Sequence, residues 1–246
     1  MKRFILMLQF TTRLPIPIQL DIKEEDFGKG TVFFPLVGLI IGVISFGLFY
    51  FFDFIGSRLL AVLMLILGEI IVTGGLHYDG LGDTFDALYS GKTREGMLEV
   101  MKDSRLGTHG VLAIILNILL KIALYASIRG RLMCVIICVP MFSRLMIVYG
   151  GAFSKPARKQ GLGNLFISYI TIKEAVIATI LALIPSFYFL KWVSFFFVML
   201  SFAVSLGVAS FFKNKIGGMT GDTFGALNEI GQIIMLFGFL IYYNLF

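Results

Sequence analysis

Three aspartates, Asp79, Asp83 and Asp86, stand close together in a chain of 246 residues that is 58% hydrophobic and only 15% charged. On a helix the i, i+4, i+7 spacing holds all three carboxylates within a stripe roughly 60° wide. Like charges on one face repel unless a cation sits among them. A hard divalent ion such as Mg²⁺, which takes carboxylate oxygens, is the simplest candidate. Gly74, Gly75 and His77 lie just upstream of the stripe.

Downstream, Gly91 to Glu95 leads through an amphipathic stretch to Lys102, Asp103 and Arg105. In phosphoryl-transfer sites Mg²⁺ is commonly held by one or two carboxylates plus phosphate oxygens. Lys102 and Arg105 suit the non-bridging oxygens, arginine with a bidentate grip. A second polar stretch, Lys213 to Ala226, contains Gly217, Gly218, Thr220, Gly221 and Asp222. Its glycines let backbone N–H groups approach an anion, and the helix start that follows favours negative charge. Thr220 and Asp222 extend a metal or phosphate site on this reading, although a turn between two helices has the same composition. The basic patch Lys155, Arg158 and Lys159, followed by Gly161, Gly163 and Asn164, reads equally as an anion-facing wall or as ordinary positive charge beside a membrane.

These groups need a scaffold, and the rest of the chain supplies one. Mean hydropathy is +0.91 and 26 residues are phenylalanine, values of a polytopic helical membrane protein, all-α in class. Apolar runs of about twenty residues fall at Thr31–Phe52, Ser57–Leu76, Gly110–Ser127, Leu132–Gly151, Ile172–Leu190, Trp192–Phe212 and Ala226–Phe246, predicting about seven spans in one integral-membrane catalytic domain over 1–246. Residues 1–30 read as an interfacial segment, because Phe4–Phe10 is too short to cross and lacks a signal-peptide cleavage pattern. Cys134 and Cys138 read as packing residues.

With the N-terminus in the cytoplasm and seven alternating spans, fifteen of the 21 lysines and arginines fall on inside segments and four outside. That asymmetry predicts N-in, C-out. The net charge of +6 then belongs to cytoplasmic loops, not to nucleic-acid binding. The polar connections 77–109, 152–171 and 213–225 all lie on the cytoplasmic side, so one site can draw on all three. Glu69 and Arg144 lie about 10 Å deep at ~1.5 Å per residue, and are expected to pair or to edge the site. Lys121 is expected to snorkel outward.

In combination, Thr73–Asp86, Met101–Gly110, Gly161–Phe166 and Gly217–Thr223 closely resemble the cobalamin synthase family, the adenosylcobinamide-GDP ribazoletransferases. Phe10–Pro17 and Phe34–Gly38 are also similar, so the resemblance runs from near residue 4 to the last span. It implies that an α-ribazole (or α-ribazole 5′-phosphate) hydroxyl attacks the corrinoid-side phosphorus of adenosylcobinamide-GDP and releases GMP, with Mg²⁺ neutralising charge on the diphosphate. It implies further that Asp79, Asp83, Asp86 and Asp222 hold metal and that Asp83, Asp86, His77 and Asp103 are candidates for the catalytic groups. Lys102, Arg105, Asn164, Thr220 and Gly221 would touch substrate. The site would face the cytoplasm from a bacterial inner membrane, alone, as a homo-oligomer, or beside other cobalamin-biosynthesis enzymes. The Asp79–Asp86 pattern also resembles CDP-alcohol phosphotransferases, but Asp83-Thr84 stands where that family has Ala-Arg. An ion-coupled transporter would distribute ionisable groups through the membrane depth, whereas here the acids gather at one face.

Overall fold

In a bilayer an apolar run satisfies its own backbone by forming a helix. The computed structural model, described over residues 1–159 and 161–245, consists largely of helices. In chain order they are α1 (Lys2–Thr11), α2 (Glu24–Gly30), α3 (Phe34–Phe54), α4 (Arg58–Thr73), α5 (Leu76–Leu88), α6 (Arg94–Val100), α7 (Thr108–Ser127), α8 (Leu132–Ala152), α9 (Leu162–Tyr169), α10 (Ile172–Leu190), α11 (Val193–Ile216) and α12 (Gly221–Leu245). Each expected run holds one helix. Among the described residues, six helices are long and apolar enough to cross a membrane, and α4 with α5 would make a seventh span, bent by 90°. The bend turns α5 away from the line of α4 and packs it against the first turns of α7 and α12.

Helix α8 is the axis of the bundle, with every residue from Cys134 to Gly151 buried. A helix apolar all round belongs in the middle. Helix α3 meets it backbone to backbone through Gly38 and Gly42, where a Cβ would come within 2.3 Å of the Pro140 carbonyl oxygen and 2.6 Å of that of Ile137. Small residues four apart are how membrane helices approach this closely. On another side Phe197 of α11 stacks between Phe142 and Phe239, at centroid distances of 5.7 and 3.9 Å. Both cysteines are free and buried.

Charge inside the bundle is arranged differently from expectation. Lys121 does not snorkel: it is fully buried, 2.6 Å from Glu229 and 3.8 Å from Glu69, and it donates to the Tyr78 hydroxyl at 3.1 Å. Glu69 accepts from Gln232 at 2.8 Å. Arg144 instead donates to the Pro140 carbonyl, one turn back on its own helix. Glu69 and Arg144 thus share one interior without pairing. An ammonium group with two carboxylates in reach gains more there than at the interface, since long basic chains snorkel for want of such partners.

The N-terminal segment is part of the bundle. Lys2 and Arg3 bridge to Asp26 at 2.7 and 2.9 Å, the Arg13 amide donates to the Val72 carbonyl at 2.7 Å, and Leu6, Met7 and Leu8 are buried. Phe10, Phe27 and Phe34 surround Phe166 of α9 at 5.2–6.0 Å.

Candidate active site

Two Gly-Gly turns shape the end of the bundle. Gly74 and Gly75 have φ of +64° and +72°, and the Gly75 amide reaches back to the Ile70 carbonyl, closing α4 in the left-handed turn that glycine adopts without strain. Gly217, at φ +83°, closes α11 the same way, with the Gly218 amide on the Phe212 carbonyl. Each turn releases the chain sideways into a polar helix start. After Gly75 comes α5 with its aspartates, and after Gly218 come Met219, Thr220 and α12. Thr220 and Thr223 exchange backbone-to-hydroxyl bonds of 2.8 and 3.2 Å, capping α12. That helix begins five residues before the expected span, so Asp222 lies in its first turn.

The three polar connections converge here. A Cβ on Gly80 would lie 2.7 Å from the Asp222 carbonyl oxygen, and one on Gly163 would lie 2.4 Å from the Gly221 nitrogen. The Ala157 amide donates to the Met219 carbonyl and the Met219 amide to the Lys155 carbonyl, both at 2.9 Å. Between these segments is a cleft of about 310 Å³. His77, Asp79, Arg158, Asn164, Thr220, Gly221 and Asp222 give it polar walls, and Phe10, Phe34, Ile147, Phe166 and Phe224 give it apolar ones.

Asp83 adjoins this acidic wall, half-buried. Burial raises its carboxyl, and the carboxylates of Asp79, Asp222 and Asp86 raise it further, to about 7. Asp222 is 3.4 Å from Arg158 and accepts from the Thr220 hydroxyl at 3.3 Å. Asp86 is tied down: one oxygen accepts from the Gly107 amide at 2.6 Å and the other from the Gly110 amide at 2.8 Å, at the start of α7. Asn164 donates to the Lys159 carbonyl and accepts from Ser168. Lys102, Asp103 and Arg105 do not line the cleft. Asp103 and Arg105 pair with each other at the surface at 2.6 Å, and Arg105 holds the Asp103 carboxyl down at about 2.

The acids around Asp83 offer only oxygen, which suits a hard cation, and the carboxylate repulsion that adds to burial in lifting its pKa is what a cation would relieve. Among the described residues, no group of three or more carboxylate, imidazole or thiol side chains is placed to hold a metal ion, so a cation here would draw the rest of its ligands from water and substrate.

Sequence reasoning singled out the acids and the glycine loops for the site; Phe10, Thr11 and Phe34 lie in the two N-terminal segments similar to the family but were given no part in the site. It left Arg158 undecided within its basic patch. The available signal was position, since Arg158 comes three residues before Gly161, and that glycine-rich stretch meets the start of α12.

Fold and site together describe a polytopic helical membrane protein with an acid-lined cleft at one end of its bundle. The chain belongs to the cobalamin-5-phosphate synthase family, which it matches over residues 3–240. Relatives named adenosylcobinamide-GDP ribazoletransferase include that of Clostridium tetani (strain Massachusetts / E88), 40% identical with 98% of each chain covered. That of Clostridioides difficile (strain 630) is 41% identical with 96% of each covered. No solved structure matches the chain.

Proposed function

We propose that this protein is an adenosylcobinamide-GDP ribazoletransferase, joining α-ribazole or its 5′-phosphate to the adenosylcobinamide phosphate group with release of GMP, late in assembly of the cobalamin nucleotide loop. The observation that carries the reading is the acid-crowded cleft in a chain 40% identical along its length to a protein so named. The ribazole 3′-oxygen forms a bond to the phosphorus next to the corrinoid arm. The bond from that phosphorus to the GMP oxygen breaks, and GMP leaves with the electron pair. The hydroxyl proton goes to a base. His77, in the cleft wall, and Asp83, beside Asp79 and Asp222, are the two candidates by position, since a base must first be within reach of the proton it takes.

One or two of Asp79, Asp83 and Asp222 would hold Mg²⁺, which when bound supplies charge neutralisation at the diphosphate. An incomplete protein cage is in keeping with this, because Mg²⁺ usually keeps waters and takes substrate phosphate oxygens as ligands. Thr220, Gly221 and Asn164 would hold the nucleotide side of the donor. A cleft of about 310 Å³ is at the small end of ligand pockets, so it encloses the reacting diphosphate while the corrinoid stays outside. The lysine and arginine asymmetry supports a cytoplasm-facing site in a bacterial inner membrane.

Purified protein in detergent, given adenosylcobinamide-GDP, α-ribazole and Mg²⁺, is expected to release GMP and to form the coupled corrinoid. Absence of GMP release by the wild type, or full activity in Asp83→Asn, would defeat this reading.

A further inference from the structure

We propose that Arg158 is the anion clamp of the cleft, parked on Asp222 when no anion is bound and transferred to a phosphate oxygen pair of the donor nucleotide when one arrives. The proposal rests on the reaction above only for the identity of the anion. Among the described residues lining the cleft, Arg158 is the one lysine or arginine. Lys155 and Lys159, its neighbours in the basic patch, are exposed and stand outside that lining. The backbone on its N-terminal side is fastened to the loop before α12 by the two bonds between Met219 and residues 155 and 157. The guanidinium is therefore held beside the start of α12, 3.4 Å from Asp222.

Its present bonds are incomplete. Nη2 donates to the Leu98 carbonyl at 3.0 Å and lies 3.4 Å from Asp222 Oδ2, beyond the distance of a good charge-assisted bond. Nε is buried with no partner. An arginine offers five donors in a planar fork that matches two oxygens of a phosphate, so an N–H edge this poorly satisfied is poised for a better acceptor. Asp222 loses little in the exchange, because its Oδ2 keeps the Thr220 hydroxyl and becomes free for a cation.

Competition between Asp222 and the anion gives opposite signs for two substitutions. Equilibrium binding of GDP to the full-length protein in detergent, with chelator present, is the measurement, and guanosine is the uncharged control. Arg158→Gln is expected to weaken GDP binding about ten- to hundredfold, Arg158→Lys by less, and Asp222→Asn to tighten it, with guanosine unchanged throughout. Wild-type GDP affinity in Arg158→Gln would overturn the clamp. So would a parallel loss of guanosine binding, or no GDP binding by the wild type. GMP release from adenosylcobinamide-GDP is scored separately. A wild type that binds GDP through Arg158 but releases no GMP refutes the reaction and leaves the clamp standing.

Discussion

Two groups of charges lie only a few helical turns apart in this molecule, and they are balanced in opposite ways. In the interior, Glu69 and Glu229 are set against Lys121 and Arg144, and Lys121 touches both glutamates. At the bundle end, Asp79, Asp83 and Asp222 crowd together with Arg158 as the one lysine or arginine among the described residues of the cleft wall. The first set is neutral as it stands and fully enclosed. The second carries excess negative charge and opens to a cleft. Buried charge persists where partners come from the chain itself, so the interior set reads as architecture. An excess of one sign at an opening is a vacancy for ligands of the other, and this set reads as function. If that contrast is right, removing charge from the two regions has opposite effects on stability.

The largest effect is expected inside. Lys121→Met leaves two enclosed carboxylates without their ammonium, and breaking a buried pair in this way costs about 3–5 kcal/mol. Unfolding midpoints of the purified protein should fall sharply. Lys121→Met combined with Glu229→Met should recover most of the loss, because replacing a whole buried pair with apolar groups is close to neutral. A single variant as stable as wild type would erase the distinction between the two regions.

At the cleft the same kind of change should cost activity and spare the fold. Asp83→Asn is expected to lower the rate of GMP release by about 100-fold or more with no fall in unfolding midpoint, since it removes repulsion. The pH dependence sharpens this. A carboxyl raised in the folded state to about 7 keeps its proton where the unfolded chain has lost it, so its contribution weakens the fold as pH rises from the ordinary carboxylate range through 7. Unfolding midpoints of wild type over that interval should carry this downward slope. Asp83→Asn should lack it, and Mg²⁺ should reduce it if the cation binds there.

How much of this could be read beforehand depended on the range of each interaction. The spans and the aspartate stripe are local: hydropathy over about twenty residues and an i, i+4, i+7 spacing survive without knowledge of neighbours. The Gly-Gly pairs are local too: Gly74-Gly75 and Gly217-Gly218 stand next to the polar segments in the sequence, and Gly74 and Gly217 end their helices in the left-handed conformation. Lys121 and Glu229 are 108 residues apart, and only the packing of α7 against α12 shows that they meet. The same holds for Phe10 and Phe34, whose place in the cleft wall follows from their packing around Phe166 of α9. Lys102, Asp103 and Arg105 looked chemically suited to phosphate, but nothing local shows which way a short surface turn faces.

Asp86 is the smallest and most discriminating test, because its residue type and its geometry assign it to different regions. By spacing it is the third member of the acidic stripe, yet two backbone amides at the start of α7 already compensate it. Those amides have no partner within the helix, and a carboxylate beside a helix N-terminus is stabilised by them and by the dipole. A Cβ on Gly107 or Gly110 would strike this carboxylate at 2.6 or 2.5 Å, so the turn is built closely around it. Asp86→Ala should therefore behave like the interior variants, losing about 1–2 kcal/mol in unfolding measurements. Asp86→Asn, which keeps one carbonyl acceptor, should lose less. If instead Asp86→Asn matches Asp83→Asn, with full stability and GMP release reduced to the same extent, Asp86 belongs with the functional carboxylates and the boundary between the two regions moves by one turn of α5.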